Sequence, residues 1–106
     1  MKRWRPESVG EMIQKEISDV IRNMKDPRIG FVTVTGVRMS VDLRYAKVYV
    51  SVMDSDEVRK GTLEALTHGT AYIRREIGRR IQIRHTPELV FCYDDSIEYG
   101  AKIDKI

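Results

Sequence analysis

Between Tyr45 and Met53 the side chains alternate. Ala46, Val48, Val50 and Val52 form one set, and Tyr45, Lys47, Tyr49 and Ser51 the other. In an extended chain successive side chains point to opposite faces, so this run predicts a strand with one apolar face and one wetter face. A lone strand of that kind does not persist in water. Its backbone groups need neighbouring strands, and its valines need a covering layer. The rest of the chain must therefore supply more strands and at least one helix with an apolar stripe.

Both are present. Phe31 to Val37 is short and rich in β-branched residues, and Met39 to Arg44 carries the turn formers Ser40 and Asp42. These predict a strand, a turn and an antiparallel hairpin with the Tyr45 strand. Glu88 to Tyr93 is a third strand in which Leu89, Phe91 and Tyr93 alternate. It follows a helical region, so a right-handed crossover lays it parallel to the Tyr45 strand. Lys47, on the wetter face, reads as a cation that discourages pairing at a sheet edge, with RNA contact as the other reading.

Val9, Met12, Ile13, Ile17, Val20, Ile21 and Met24 recur with helical spacing for about four turns. Ser8 and Glu11 have capping-box spacing, and Pro6 suits a first helical turn equally well. Lys25-Asp26-Pro27 ends the helix, because proline cannot continue the ladder. The cluster Asp54-Ser55-Asp56-Glu57 opens a second helix from about Asp56 to His68, with Leu63 and Leu66 inward. The small residues Gly69, Thr70 and Ala71 break the pattern, and a helix resumes from Tyr72 to Ile81. A sharp bend at Gly69 is expected. Thr86-Pro87 stops further helix, and Ser96 to Ile106 reads as a weak terminal helix or a fraying end. The order is α-β-β-α-α-β. It predicts an α+β fold with helices on one face of a three-stranded mixed sheet.

The chain has 106 residues and fits one domain over 1–106. One cysteine, Cys92, rules out an internal disulfide and weakly favours a reducing compartment. No stretch approaches the roughly 20 apolar residues of a membrane span. A cytoplasmic location follows by exclusion. The formal net charge of +3 is modest but unevenly spread. Lys2, Arg3 and Arg5 crowd the N-terminus beside Trp4 and read as a second candidate contact for RNA. Arg74, Arg75, Arg79, Arg80 and Arg84 fall within twelve residues.

That second block is the main functional signal. Ile73, Ile77 and Ile81 recur every four residues, so one stripe buries while arginines stay outside. Guanidinium groups bind phosphate bidentately and stack on unpaired bases, which suits folded RNA. The plainer reading is a solvated helix face paired with Glu76 or Glu88. Arg74 borders the apolar stripe and has a structural alternative. Arg28, next to Pro27, reads best as a clamp on acids near a helix end. His68 suits the negative end of a helix dipole. No zinc spacing, phosphate loop or nucleophile–base set can be assembled, so no cofactor and no catalytic site are expected.

Several sequence islands carry a resemblance. They are Lys25-Asp26-Pro27-Arg28-Ile29 with Val32-Thr33-Val34-Thr35, then Asp42-Leu43 with Ala46 to Val52, then Tyr72-Ile73-Arg74, and Pro87 to Asp94. In this order and spacing the chain resembles bacterial ribosome-binding factor A over almost its whole length. The resemblance implies a KH-like fold of the second type and binding to the small ribosomal subunit and its 16S rRNA. It also implies assistance in late maturation and 5′-end processing of that RNA, a link to growth in the cold, and an assembly GTPase as a partner. Family members are not known as enzymes, and a monomer is expected. Gly69-Thr70-Ala71 stands where the family usually carries Ala-x-Gly at its bend. Two other readings stay open at this point. One is a free-standing KH-like module for other RNA. The other is a Mg²⁺-dependent RNA-acting enzyme using Asp94, Asp95 and Glu98.

Overall fold

A computed structural model describes residues 5–29 and 31–94. Its elements run α1 (Pro6–Arg22), β1 (Val32–Met39), β2 (Tyr45–Val52), α2 (Asp56–His68), α3 (Thr70–Arg80) and β3 (Glu88–Tyr93). The sheet order is β1-β2-β3, with β1 antiparallel and β3 parallel to β2. The α+β architecture expected from the sequence is the one observed. The expected terminal helix over 96–106 lies outside the described residues.

Pro6 occupies the first turn of α1, with Arg5 as the extended residue before it. Proline's fixed φ suits that position and its missing N–H costs nothing there. Ser8 therefore sits inside the first turn, and no side chain caps the helix. Val9, Ile13, Ile17, Val20 and Ile21 form its buried face. The helix stops at Arg22, slightly before Pro27, and the Asn23 amide closes it by donating to the Asp19 carbonyl at 2.9 Å. Downstream, the Arg28 guanidinium holds Asp26 at 3.2 and 3.0 Å, the clamp anticipated for it.

The hairpin register runs from Val32 opposite Val52 to Met39 opposite Ala46, with a bulge between Val34 and Gly36. Asp42 organises the turn. It accepts the Ser40 hydroxyl at 2.6 Å and the Arg44 N–H at 3.1 Å. Leu43 takes a left-handed φ of 61° there, a conformation L-residues pay for. Its side chain packs against the core, which offsets that cost.

Ala46, Val48, Val50 and Val52 are all fully buried, as their alternation predicts. Ile13 and Ile17 from α1, Leu66 from α2, and Ile73 and Ile77 from α3 complete the core above that face. Each such side chain contributes roughly 1.5–3 kcal/mol by leaving water. Ser55 caps α2 by accepting the Val58 N–H at 3.3 Å. The opposite face of the sheet carries Lys47, Tyr45 and Val90, all exposed. One expectation is corrected. β2 is the central strand, with β1 on one side and β3 on the other. Lys47 therefore guards no sheet edge.

Candidate nucleic-acid interface

α2 and α3 meet without a loop. Gly69 closes α2 by donating to the Ala65 carbonyl at 2.9 Å, and its own carbonyl accepts the Ile73 N–H of α3 at 3.0 Å. Its φ of −87° is open to any residue, so backbone freedom is not why glycine fits. Space is the reason: a Cβ would lie 2.8 Å from the Met24 methyl and 3.3 Å from the Ala65 carbonyl oxygen. The Thr70 hydroxyl caps α2 from beyond the bend, 2.8 Å from the Thr67 carbonyl. Ala71 is exposed. The three residues of the bend thus make a tight joint, with two of them in packing or capping roles.

Ile73, Ile77 and Ile81 bury one stripe of this segment. Arg75 and Arg79 lie off that stripe, one helical turn apart, and both are exposed. Arg75 has no carboxylate partner among the described residues. The Arg79 side chain is 73% exposed and meets Glu76 loosely, at 3.5 Å. Arg84 lies past the helix end, in the segment leading to β3, and is exposed. Within this block, these three are the arginines least engaged with other groups.

The other two arginines of the block are engaged. Arg74 donates from Nε to the Pro87 carbonyl and from Nη2 to the Thr86 carbonyl, both at 3.0 Å. Glu88 lies 3.6 Å from the same guanidinium. Arg74 is thus a brace between α3 and the start of β3, the structural alternative left open for it. Arg80 donates to Asp19 of α1 at 2.7 Å and lies 3.8 Å from Glu16. The Asp19 hydrogen bond holds the Arg80 pKa above its ordinary value. Two acids of α1 therefore screen Arg80. The expectation of five cations on one outward face narrows to Arg75, Arg79 and Arg84.

Arg5 is exposed at the start of α1, while Lys2, Arg3 and Trp4 lie outside the described residues. Local sequence reading overlooked Arg38 and Arg44. Arg38 faces Lys47 across the hairpin, on the outer side of the sheet. Arg44, Tyr45, His85, Thr86 and Glu88 line a hollow of about 380 Å³ at the end of that face. Hairpin register sets Arg38 opposite Lys47, and only a residue-by-residue pairing of the two strands would have found that pair. Among the described residues, no group of three or more His, Cys, Asp or Glu side chains is placed to hold a metal ion. Asp94 instead accepts the Thr35 hydroxyl at 2.6 Å, while Asp95 and Glu98 lie outside the described residues.

An α-β-β-α-α-β order with a bent helix pair on a three-stranded mixed sheet is the single α+β domain, KH-like of the second type, that the resemblance implied. Comparison with known proteins narrows this class. The family model for ribosome-binding factor A matches residues 5–106, and the chain belongs to that family. It is 53% identical over 107 residues to the Halothermothrix orenii ribosome-binding factor A, covering 100% of this chain and 88% of that one. Its fold matches the crystal structure of ribosome-binding factor A from Thermus thermophilus with a TM-score of 0.76. That match has 26% identity and covers 85% of this chain and 97% of that one. A homology model of the Thermus thermophilus factor, fitted into a cryo-EM map of its complex with the 30S subunit, matches with a TM-score of 0.73. Identity there is 26%, covering 85% of this chain and 96% of the other. Among the described residues, no helix is long and apolar enough to cross a membrane.

Proposed function

We propose that this protein binds the small (30S) ribosomal subunit through its 16S rRNA and assists the late assembly and processing of that RNA. It works by docking, without catalysis, as one domain over 1–106. The observation that carries this reading is the exposed trio Arg75, Arg79 and Arg84, on a fold shared with a factor fitted into a 30S complex. The buried isoleucine stripe fixes the backbone that carries Arg75 and Arg79, so on meeting phosphate it is their side chains that must order. The same reading makes the protein a monomeric cytoplasmic factor that serves growth in the cold and is released with the help of an assembly GTPase.

Co-sedimentation with free small subunits and with complete ribosomes tests it. Preferential recovery with free small subunits is expected. Equal recovery with both, or recovery with neither, overturns the assembly role. Engagement of three phosphates gives a log–log salt slope of roughly −2 to −3. Arg75→Glu combined with Arg79→Glu should weaken subunit binding while leaving the fold intact. An unchanged affinity in that double variant removes α3 from the contact. In cells lacking the protein, unprocessed small-subunit rRNA should accumulate, most strongly at low temperature. Normal processing there would refute the maturation role.

A further inference from the structure

The outer face of the sheet carries a cation pair that the fold does not neutralise. Arg38 of β1 and Lys47 of β2 are direct cross-strand partners, and both are exposed. Among the described residues neither meets a carboxylate. Like charges directly opposite each other on a sheet lower its stability. Several helix arginines find acids, as Arg59 finds Asp56 and Arg80 finds Asp19. Among the described residues the acid beside the pair on β3 is Glu88, which faces Tyr45 and lies 3.6 Å from Arg74, so neither cation of the pair is neutralised and a bound anion would relieve the repulsion.

The surroundings say which anion. Tyr45 lies two residues from Lys47 on the same face and is 58% exposed. It borders the hollow of about 380 Å³ that Arg44, His85, Thr86 and Glu88 also line. An exposed aromatic ring, donors beside it and two cations one step along the strand match a backbone that alternates flat bases with phosphates. We propose that this open sheet face is a second contact for single-stranded RNA. Phosphates sit over Arg38 and Lys47, and a base stacks on Tyr45 in the hollow beside Arg44 and His85. The surface is separate from the α3 arginines and shares with them only the class of ligand.

Fluorescence anisotropy with a short labelled single-stranded RNA tests the surface on the full chain. Replacing Arg38 and Lys47 together by glutamine should lower the magnitude of the log–log salt slope by roughly 1.4, at about 0.7 per phosphate. Tyr45→Thr, which keeps a strand-forming residue, should weaken binding roughly tenfold through lost stacking. Arg38→Glu alone should weaken RNA binding yet raise the thermal midpoint, because it turns a repulsive pair into an attractive one. That opposition separates RNA contact from a purely structural role. The Tyr45 effect should persist in the Arg75→Glu, Arg79→Glu background, so failure on one surface is distinguishable from failure on the other. Unchanged affinity and slope in the Arg38, Lys47 variant would overturn the proposal. So would polyglutamate competing with the RNA as well as an unlabelled RNA does, since the face would then be a docking site for acidic protein.

Discussion

Arg74 is the residue whose loss best separates fold from function. Its guanidinium spans two successive carbonyls, Thr86 and Pro87, at the point where the chain enters β3. A hydrogen bond from a charged donor contributes about 1.5–3 kcal/mol net when well shielded. The side chain is 34% exposed, so water competes for both carbonyls once it is removed. Taking the low end for each bond and allowing for that rehydration, Arg74→Ala should cost about 2 kcal/mol. For a chain of this size that is a fall in Tm of about 10 °C. Arg74→Lys should recover at most half, because a point charge cannot serve both carbonyls as a planar fork does. Arg75→Ala, with no partner to lose, should stay within about 0.5 kcal/mol of wild type. Urea unfolding followed by far-ultraviolet circular dichroism measures all three. If Arg74→Ala unfolds like wild type but no longer binds the small subunit, the brace described above is wrong and Arg74 belongs with the cations proposed to meet RNA.

Two glycines should rank in a definite order. A Cβ on Gly10 would lie 2.9 Å from the Val37 carbonyl oxygen of β1, a backbone atom that cannot swing aside. Gly10→Ala should therefore cost about 1–3 kcal/mol, whereas Gly69→Ala meets the flexible end of Met24 and should cost less; equal losses in thermal melts would contradict the packing described for α1. Acid stability should depend on the two turn aspartates. Hydrogen bonds from Arg28 hold the Asp26 carboxyl below its usual 3.8, and those from Ser40 and the Arg44 N–H do the same for Asp42. A lowered folded-state pKa means the unfolded chain takes up protons first, so this stability is in place above 3.8 and drains away as the pH falls through the folded values. Asp42→Asn should flatten that acid limb in urea midpoints recorded across pH, and an unaltered limb would show that the turn does not hold the carboxylate ionised.

Much of the architecture was legible because it rests on local pattern. The alternation in β2 and β3, the Ser55 cap and the small residues at 69–71 each have a cause within a few positions. The helix start was ambiguous between two local signals, and Pro6 prevailed because it had already set the first turn before Ser8 could cap it. Strand order is different in kind. The hairpin and the crossover already placed β2 between β1 and β3, and the edge reading of Lys47 failed because it considered the residue's own face without that pairing. The same holds for the arginines. Helical phase correctly turned Arg75 and Arg79 outward, since only the isoleucine stripe decides that. Arg74 and Arg80 were settled by partners 13 and 61 positions away, which no local window contains. The Arg38–Lys47 pairing is likewise a product of hairpin register.

The joint at Gly69 has a mechanical consequence. One residue closes one rod and opens the next, leaving no slack between them. The far end of the second rod is staked to α1 through Asp19, and its middle is riveted to the entrance of β3. A bracket fastened at three points does not swivel to meet a curved surface. A surface that met this helix pair as proposed would have to conform to it, and the backbone of the pair would surrender little motional freedom.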